Sequence, residues 1–191
     1  MGRIVLFNMI TLDGFFEGTN QELDWHQVDD EFNEFAADQL DSADFLLFGR
    51  RTYQLMEGFW PTKTVLQIYP GIASRMNRMA KIVCSRTMVE VYWQNTILIK
   101  QDVAQELTKL KFLPTQKKDI LVFGSAELAA FLGEHGLIDE YRIMVNPVVL
   151  GNGTPLFRGV KTKLNFSLVN SRTFTSGKVL LNYVPVREGV K

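Results

Sequence analysis

The chain has 191 residues, enough for one full hydrophobic core and, by default, one domain spanning 1–191. Its 46% apolar and 22% charged residues are ordinary for a globule, and 21 basic residues balance 21 acidic ones, so no basic field points to nucleic acid or an anionic membrane. One cysteine, two histidines and no apolar run near the length of a bilayer speak against an internal disulfide, a structural zinc site and a membrane span.

Residues 3–9 read as a strand buried on both faces, because Ile4-Val5-Leu6-Phe7 do not alternate with polar residues. Asn8 and Asp13 interrupt the apolar stretch before it could serve as a signal peptide, so the expected setting is cytoplasmic. Residues 10–28 form a long loop, a length that usually carries function. Residues 29–42 are an amphipathic helix with Phe32, Phe35, Ala36 and Leu40 on one face and Asp29 or Asp30 at its start. A strand at 45–48 runs into Gly49 and a helix from Arg50, which Gly58-Phe59-Trp60-Pro61 breaks. A short helix within 66–80 places Ile72, Met76 and Met79 together. Strands at 81–85 and 96–99 follow, then a helix at 102–112 capped by Asp102, a strand at 119–123 and a helix at 125–133 capped by Ser125. The pattern then changes: 139–149, 165–172 and 178–186 read as strands without helices between them, and 189–191 are expected to fray.

Three strands end alike. Phe45–Phe48 meets Gly49-Arg50-Arg51-Thr52; Lys81–Cys84 meets Ser85-Arg86-Thr87; Asp119–Phe123 meets Gly124-Ser125-Ala126-Glu127. Glycine lets backbone approach a ligand closely. The unpaired N–H groups of a following helix suit a phosphate, and arginine and hydroxyl groups add donors. Each alone also reads as a plain strand–helix turn. Together they resemble edges of one crevice outside the carboxyl ends of strands, where open α/β sheets bind ligands. Cys84 reads as a small buried hydrophobe, and neither histidine is given a role.

These segments, with Thr11-Leu12-Asp13-Gly14 after the first strand and Pro147–Phe157 near the end, occur in the order seen in the dihydrofolate reductase fold family. The chain most resembles the branch that includes the reductase domain of riboflavin biosynthesis. That resemblance implies an α/β fold: a mixed, mostly parallel central sheet, helices on both faces and a C-terminal antiparallel β hairpin. It implies NADPH-dependent hydride transfer to a small heterocyclic, pyrimidine- or pterin-like substrate, as in 5-amino-6-(5-phosphoribosylamino)uracil reductase. An authentic dihydrofolate reductase and a non-catalytic nucleotide- or pterin-binding module are the alternatives.

By the same resemblance Gly49, Arg50, Arg51 and Thr52 meet the cofactor phosphates. Ser85, Arg86 and Thr87 hold the 2′-phosphate, and Gly124, Ser125, Ala126 and Glu127 wrap the pyrophosphate and ribose. Ser125 replaces the second glycine common in the family, and a positive φ there would strain it. Thr11, Asp13 and Gly14 fall near the nicotinamide and substrate, although Asp13-Gly14 equally reads as a turn. Gly151 and Gly153 border the substrate side, or form an ordinary turn. Asp30, five residues after Trp25, is the candidate catalytic acid; Asp24 and Glu17 are weaker candidates, and the acidic run 29–31 equally suits a helix start. No metal is implied. No basic cluster stands out for a phosphoribosyl tail. The apolar segments 143–145 and 179–181 suggest edge strands covered in a homodimer.

Overall fold

The computed structural model describes residues 2–114 and 116–186, so the fraying expected at 189–191 lies outside the described residues. The unbroken apolar run becomes β1 (Ile4–Thr11), whose Val5, Phe7 and Met9 enter one core while Ile4 and Leu6 enter a second. Within the long loop lies β2 (Phe15–Glu17). α1 (Asp30–Asp41) is capped by Asp29, whose carboxylate accepts from Phe32 N–H at 2.7 Å. β3 (Ala43–Gly49) leads directly into α2 (Arg50–Phe59).

The short helix expected within 66–80 is α4 (Pro70–Arg78), and a further helix, α3 (Lys63–Ile68), precedes it. Pro70 occupies the first turn of α4, where its missing N–H costs nothing, and Tyr69 at φ −125°, ψ 55° separates the two axes. β4 (Ala80–Cys84), β5 (Thr96–Ile99), α5 (Val103–Lys111), β6 (Asp119–Val122) and α6 (Ala126–Glu134) follow as expected. Asp102 holds the cap position of α5, but its side chain makes no capping bond. β7 (Glu140–Asn146) ends before the expected 149, and β8 (Thr154–Pro155) pairs with β2. β9 (Phe166–Thr173) and β10 (Val179–Pro185) form the C-terminal antiparallel hairpin.

The eight-stranded sheet runs β5-β4-β3-β6-β1-β7-β10-β9, with the first six strands parallel and the last two antiparallel. α1, α2 and α4 bury Phe35, Tyr53 and Met76 on one face; α5 and α6 bury Leu107 and Leu132 on the other. Two consequences matter for function. β3 lies between β4 and β6, so its end at Gly49 neighbours strand ends at Cys84 and Val122, 35 and 73 residues away in sequence. The start of α1 is also tied to the β9–β10 hairpin. Lys178, fully buried, donates to Asp29 at 2.8 Å and to the Gln27 carbonyl at 2.7 Å, and Arg172 pairs with Glu31 at 3.0 Å. The Lys178 bond, then the Phe32 N–H, holds the Asp29 carboxyl down at about 2.

The segments expected at a dimer edge are not at an edge. β7 lies between β1 and β10, β10 lies between β7 and β9, and Ile143, Met144 and Leu180 are core. The edge strands are β5 and β9; on β9, the edge beside these segments, Leu168 and Val169 are exposed. No helix among the described residues is long and apolar enough to cross a membrane.

Candidate functional site

A cleft of about 1220 Å³ opens at the carboxyl ends of the parallel strands and continues between α1 and the pair α2 and α4. On its strand-end rim stand Gly49, Arg50, Arg51 and Thr52; Ser85, Arg86 and Thr87; and Ser125, Ala126 and Glu127. Gly124 sits just behind the wall, its carbonyl accepting from Gly49 N–H at 3.0 Å. The two loops pass so closely that a Cβ on Gly49 would stand 2.6 Å from Ser125 Oγ. The positive φ feared for Ser125 is carried by Gly124 instead, at +84°, and Ser125 sits at −77° with its hydroxyl accepting from Leu128 N–H.

The rim offers what an anionic, phosphate-bearing ligand needs. The N-cap of α2 is Gly49, which has no side chain to satisfy the first helical N–H groups. Ser85 Oγ accepts from Thr87 N–H at 3.3 Å and Met88 N–H at 3.0 Å, which leaves its hydroxyl hydrogen to donate. Arg86 is exposed at the mouth. Cys84 also faces the cleft, but burial pushes its thiol up to about 12, so it is inert there.

The loop side is built differently. β2 and β8 bring Phe16, Glu17 and Thr154 to the cleft. Asn8, interrupting the apolar β1, lines it as well, 4% exposed and with Oδ1 unpartnered among the described residues. His26 lies there with its Nε2 unpartnered, edge-on to Trp25 at 4.3 Å between ring centroids. Burial pulls the His26 imidazole down to about 4 and keeps it neutral. Sequence reasoning passed over Asn8 and His26. The available signal for Asn8 was an amide inside a strand otherwise buried on both faces.

Asp30 is exposed at the first helical position of α1 and does not line the cleft, so the acid expected by resemblance is not delivered to it. The acidic run 29–31 serves the helix start instead: Asp29 caps it and Glu31 binds the hairpin. Thr11, Asp13, Gly14, Gly151 and Gly153 also lie off the lining. They form the clamp behind it. The Thr11 hydroxyl donates to Asp13 at 2.6 Å, and Asp13 accepts from Gly151 N–H at 2.8 Å and Leu150 N–H at 3.3 Å. The Thr11 bond, then the Gly151 bond, holds the Asp13 carboxyl below its ordinary value. This clamp fixes the loop that leads into β2, and with it Phe16 and Glu17. No cluster of metal-ligating side chains occurs among the described residues.

Comparison with known proteins agrees with this architecture. The RibD C-terminal domain profile matches residues 3–180. The protein YyaP of Bacillus subtilis is 38% identical over 181 residues, covering 95% of this chain and 94% of YyaP. Among solved structures, a Shewanella sp. PV-4 protein ascribed to riboflavin biosynthesis superposes with a TM-score of 0.74 at 24% identity, covering 98% of this chain and all of that one. The Thermotoga maritima diaminohydroxyphosphoribosylaminopyrimidine deaminase/5-amino-6-(5-phosphoribosylamino)uracil reductase gives 0.67 at 17% identity, over 97% of this chain and 57% of that one. Dihydrofolate reductase from Enterococcus faecalis, complexed with NADP(H), gives 0.64 at 13% identity, over 96% of both chains.

Proposed function

The chain belongs to the RibD C-terminal domain family, and from that premise we propose that it is an NADPH-dependent reductase that passes a hydride to a small heterocyclic, pyrimidine- or pterin-like substrate. The observation that carries the reading is the convergence of three strand ends, from β3, β4 and β6, on one cleft. Its volume exceeds the ordinary upper bound for a single small ligand, about 1,000 Å³, and so admits a dinucleotide and a second ring.

The residues present fit the cofactor. The bare Gly49 cap and the first turn of α2 suit a phosphate, with Arg50 and Thr52 beside it. Arg86 suits a 2′-phosphate, which favours NADPH over NADH. When bound, NADPH supplies the hydride. The chain's own groups position, desolvate and protonate. Phe16 and Phe123 wall the cleft against water, and the unpartnered Asn8 Oδ1 offers an acceptor from within β1. Glu17 is the group on the loop side where a proton for the substrate can be held. The test is a titration of the purified protein with NADPH and NADH by nicotinamide fluorescence, followed by loss of nicotinamide absorbance across a panel of heterocycles. NADPH binding without oxidation by any of them would favour a binding module; equal affinity for the two cofactors would sink the reading.

For assembly we propose a twofold pairing through β9, whose exposed Leu168 and Val169 lie on an unpaired sheet edge. Light scattering is expected to give the mass of two chains, and Val169→Asp the mass of one. A one-chain mass for the native protein removes the dimer.

A further inference from the structure

The side chains of β1 alternate between the two faces of the sheet. Val5, Phe7 and Met9 enter the core under α1, α2 and α4; Ile4 and Leu6 enter the core under α5 and α6. Asn8 continues the second series, at a position flanked in that series by the apolar Leu6 and Ile10. It is 4% exposed and lines the cleft, and its Oδ1 accepts no hydrogen bond among the described residues. A buried amide oxygen without a donor costs stability, and an apolar residue of the same shape would not.

The groups packed against Asn8 do not satisfy it. A Cβ built on Gly124, just beyond β6, would stand 3.0 Å from Phe16 Cζ and 3.4 Å from Asn8 Nδ2, so an aromatic ring and a bare glycine close around the amide. The Gly124 carbonyl is taken by Gly49 N–H at 3.0 Å, and the Ser125 hydroxyl accepts from Leu128 N–H. α6 opens on this same face of the sheet, where Ser125, Ala126, Glu127 and Leu128 line the cleft. The corner made by β1, β2 and the start of α6 therefore holds an unpaired acceptor beside the strand end that the cofactor reading assigns to pyrophosphate and ribose.

We propose that Asn8 reads the nicotinamide: its Oδ1 accepts a hydrogen bond from the carboxamide N–H, so that an amide unpaired in the free protein is paired once the reactive ring is in place. The inference rests on the reductase reading for the identity of the ligand. The choice of group follows from the corner. It must donate to an amide oxygen, and a neutral donor enters so buried a wall at less cost than a charged one.

Isothermal titration calorimetry on the full chain tests this with three ligands. They are NADPH, its reduced 3-acetylpyridine analogue, in which a methyl group replaces the carboxamide NH2, and 2′-phospho-ADP-ribose, which lacks the ring. The native protein is expected to bind NADPH about fivefold or more tightly than the analogue. Asn8→Leu keeps the shape of the side chain and removes its polar atoms. It is expected to weaken NADPH about tenfold, to bind NADPH and the analogue within about twofold of each other, and to leave 2′-phospho-ADP-ribose within about twofold of native. Its apo melting temperature is expected to equal or exceed that of the native protein, which loss of a structural hydrogen bond would not give. Asn8→Ala gives the same loss of discrimination if Asn8→Leu fails to fold. A native protein indifferent to the carboxamide, a variant that keeps the native preference, or an equal loss for 2′-phospho-ADP-ribose overturns the proposal and leaves the reductase reading standing. A native protein that binds none of the three ligands overturns the reductase reading and the proposal with it.

Discussion

On the rim of the cleft, Gly49–Thr52, Ser85–Thr87 and Ser125–Glu127 present backbone N–H groups, hydroxyls and guanidinium groups; in the lobe between α1 and the pair α2 and α4, Phe32, Leu55, Met56 and Ile72 present carbon. The rim is made where parallel strands stop and helices begin, so its donors come with the fold itself. The lobe is made where three helices from distant parts of the chain face one another, so its character depends on side-chain choice. A substitution in the lobe can change what is bound without disturbing the strand ends. A substitution on the rim acts on groups that every ligand of the strand ends must meet. The two regions therefore respond to different perturbations.

The largest expected effect is on the rim. Arg86→Ala should weaken NADPH by about 1.5–3 kcal/mol, the worth of a charge-assisted hydrogen bond, and leave NADH within about twofold. Cofactor fluorescence measures both; an equal loss for NADH would show that Arg86 does not meet the 2′-phosphate.

The loop side of the cleft is tested by pH. The folded His26 titrates at about 4, against an ordinary value of 6.5, because burial disfavours the imidazolium. Between those values the unfolded chain binds a proton that the folded chain refuses. His26 therefore contributes stability that is whole above pH 6.5 and is lost as the pH falls towards 4. Discounted for partial exposure, the loss is about 2 kcal/mol. Denaturant melts across that window should show the slope in the native protein and a flatter curve in His26→Gln. Identical slopes would mean that the imidazole is already solvated.

A smaller effect is expected from Thr52→Val, at the third position of α2, where the side chain is nearly buried against the cleft. Cofactor affinity should fall by about 1 kcal/mol with the apo melting temperature unchanged. A collapse of Tm with normal binding would make the hydroxyl structural. The smallest effect belongs to Asp30→Asn. Exposed and outside the cleft, Asp30 is expected to leave kcat and KM within about twofold with any accepted substrate, since single exposed charges near a helix start contribute only about 0.3–1 kcal/mol to stability. A large loss of kcat would bring Asp30 back as a proton donor and require α1 to rotate.

The legibility of the two regions differs for the same reason. The rim residues sit beside apolar runs, and their meaning is local: a glycine or serine within four residues of a strand end reads the same wherever the strand lies. Asp30 was misplaced because two adjacent carboxylates at a helix start are equivalent in sequence. Only the buried Lys178, 149 residues away, selects Asp29 as the cap and leaves Asp30 to solvent. The sheet edge was misplaced because apolar content does not distinguish a central antiparallel strand from an edge, and β9, the edge on that side of the sheet, is the more polar of the hairpin pair.

By itself the sequence determined the alternation of strands and helices, the three glycine- or serine-ended strands and the family to which they point. These follow from hydrophobic periodicity and turn chemistry, which act over a few residues. The tertiary structure decided the rest: that β3 lies between β4 and β6, that Asn8 and His26 turn towards the cleft, and that α1, α2 and α4 bring apolar side chains to it. Those facts depend on which distant surfaces become neighbours. Strand order and helix packing set that, and no local pattern in the chain encodes it.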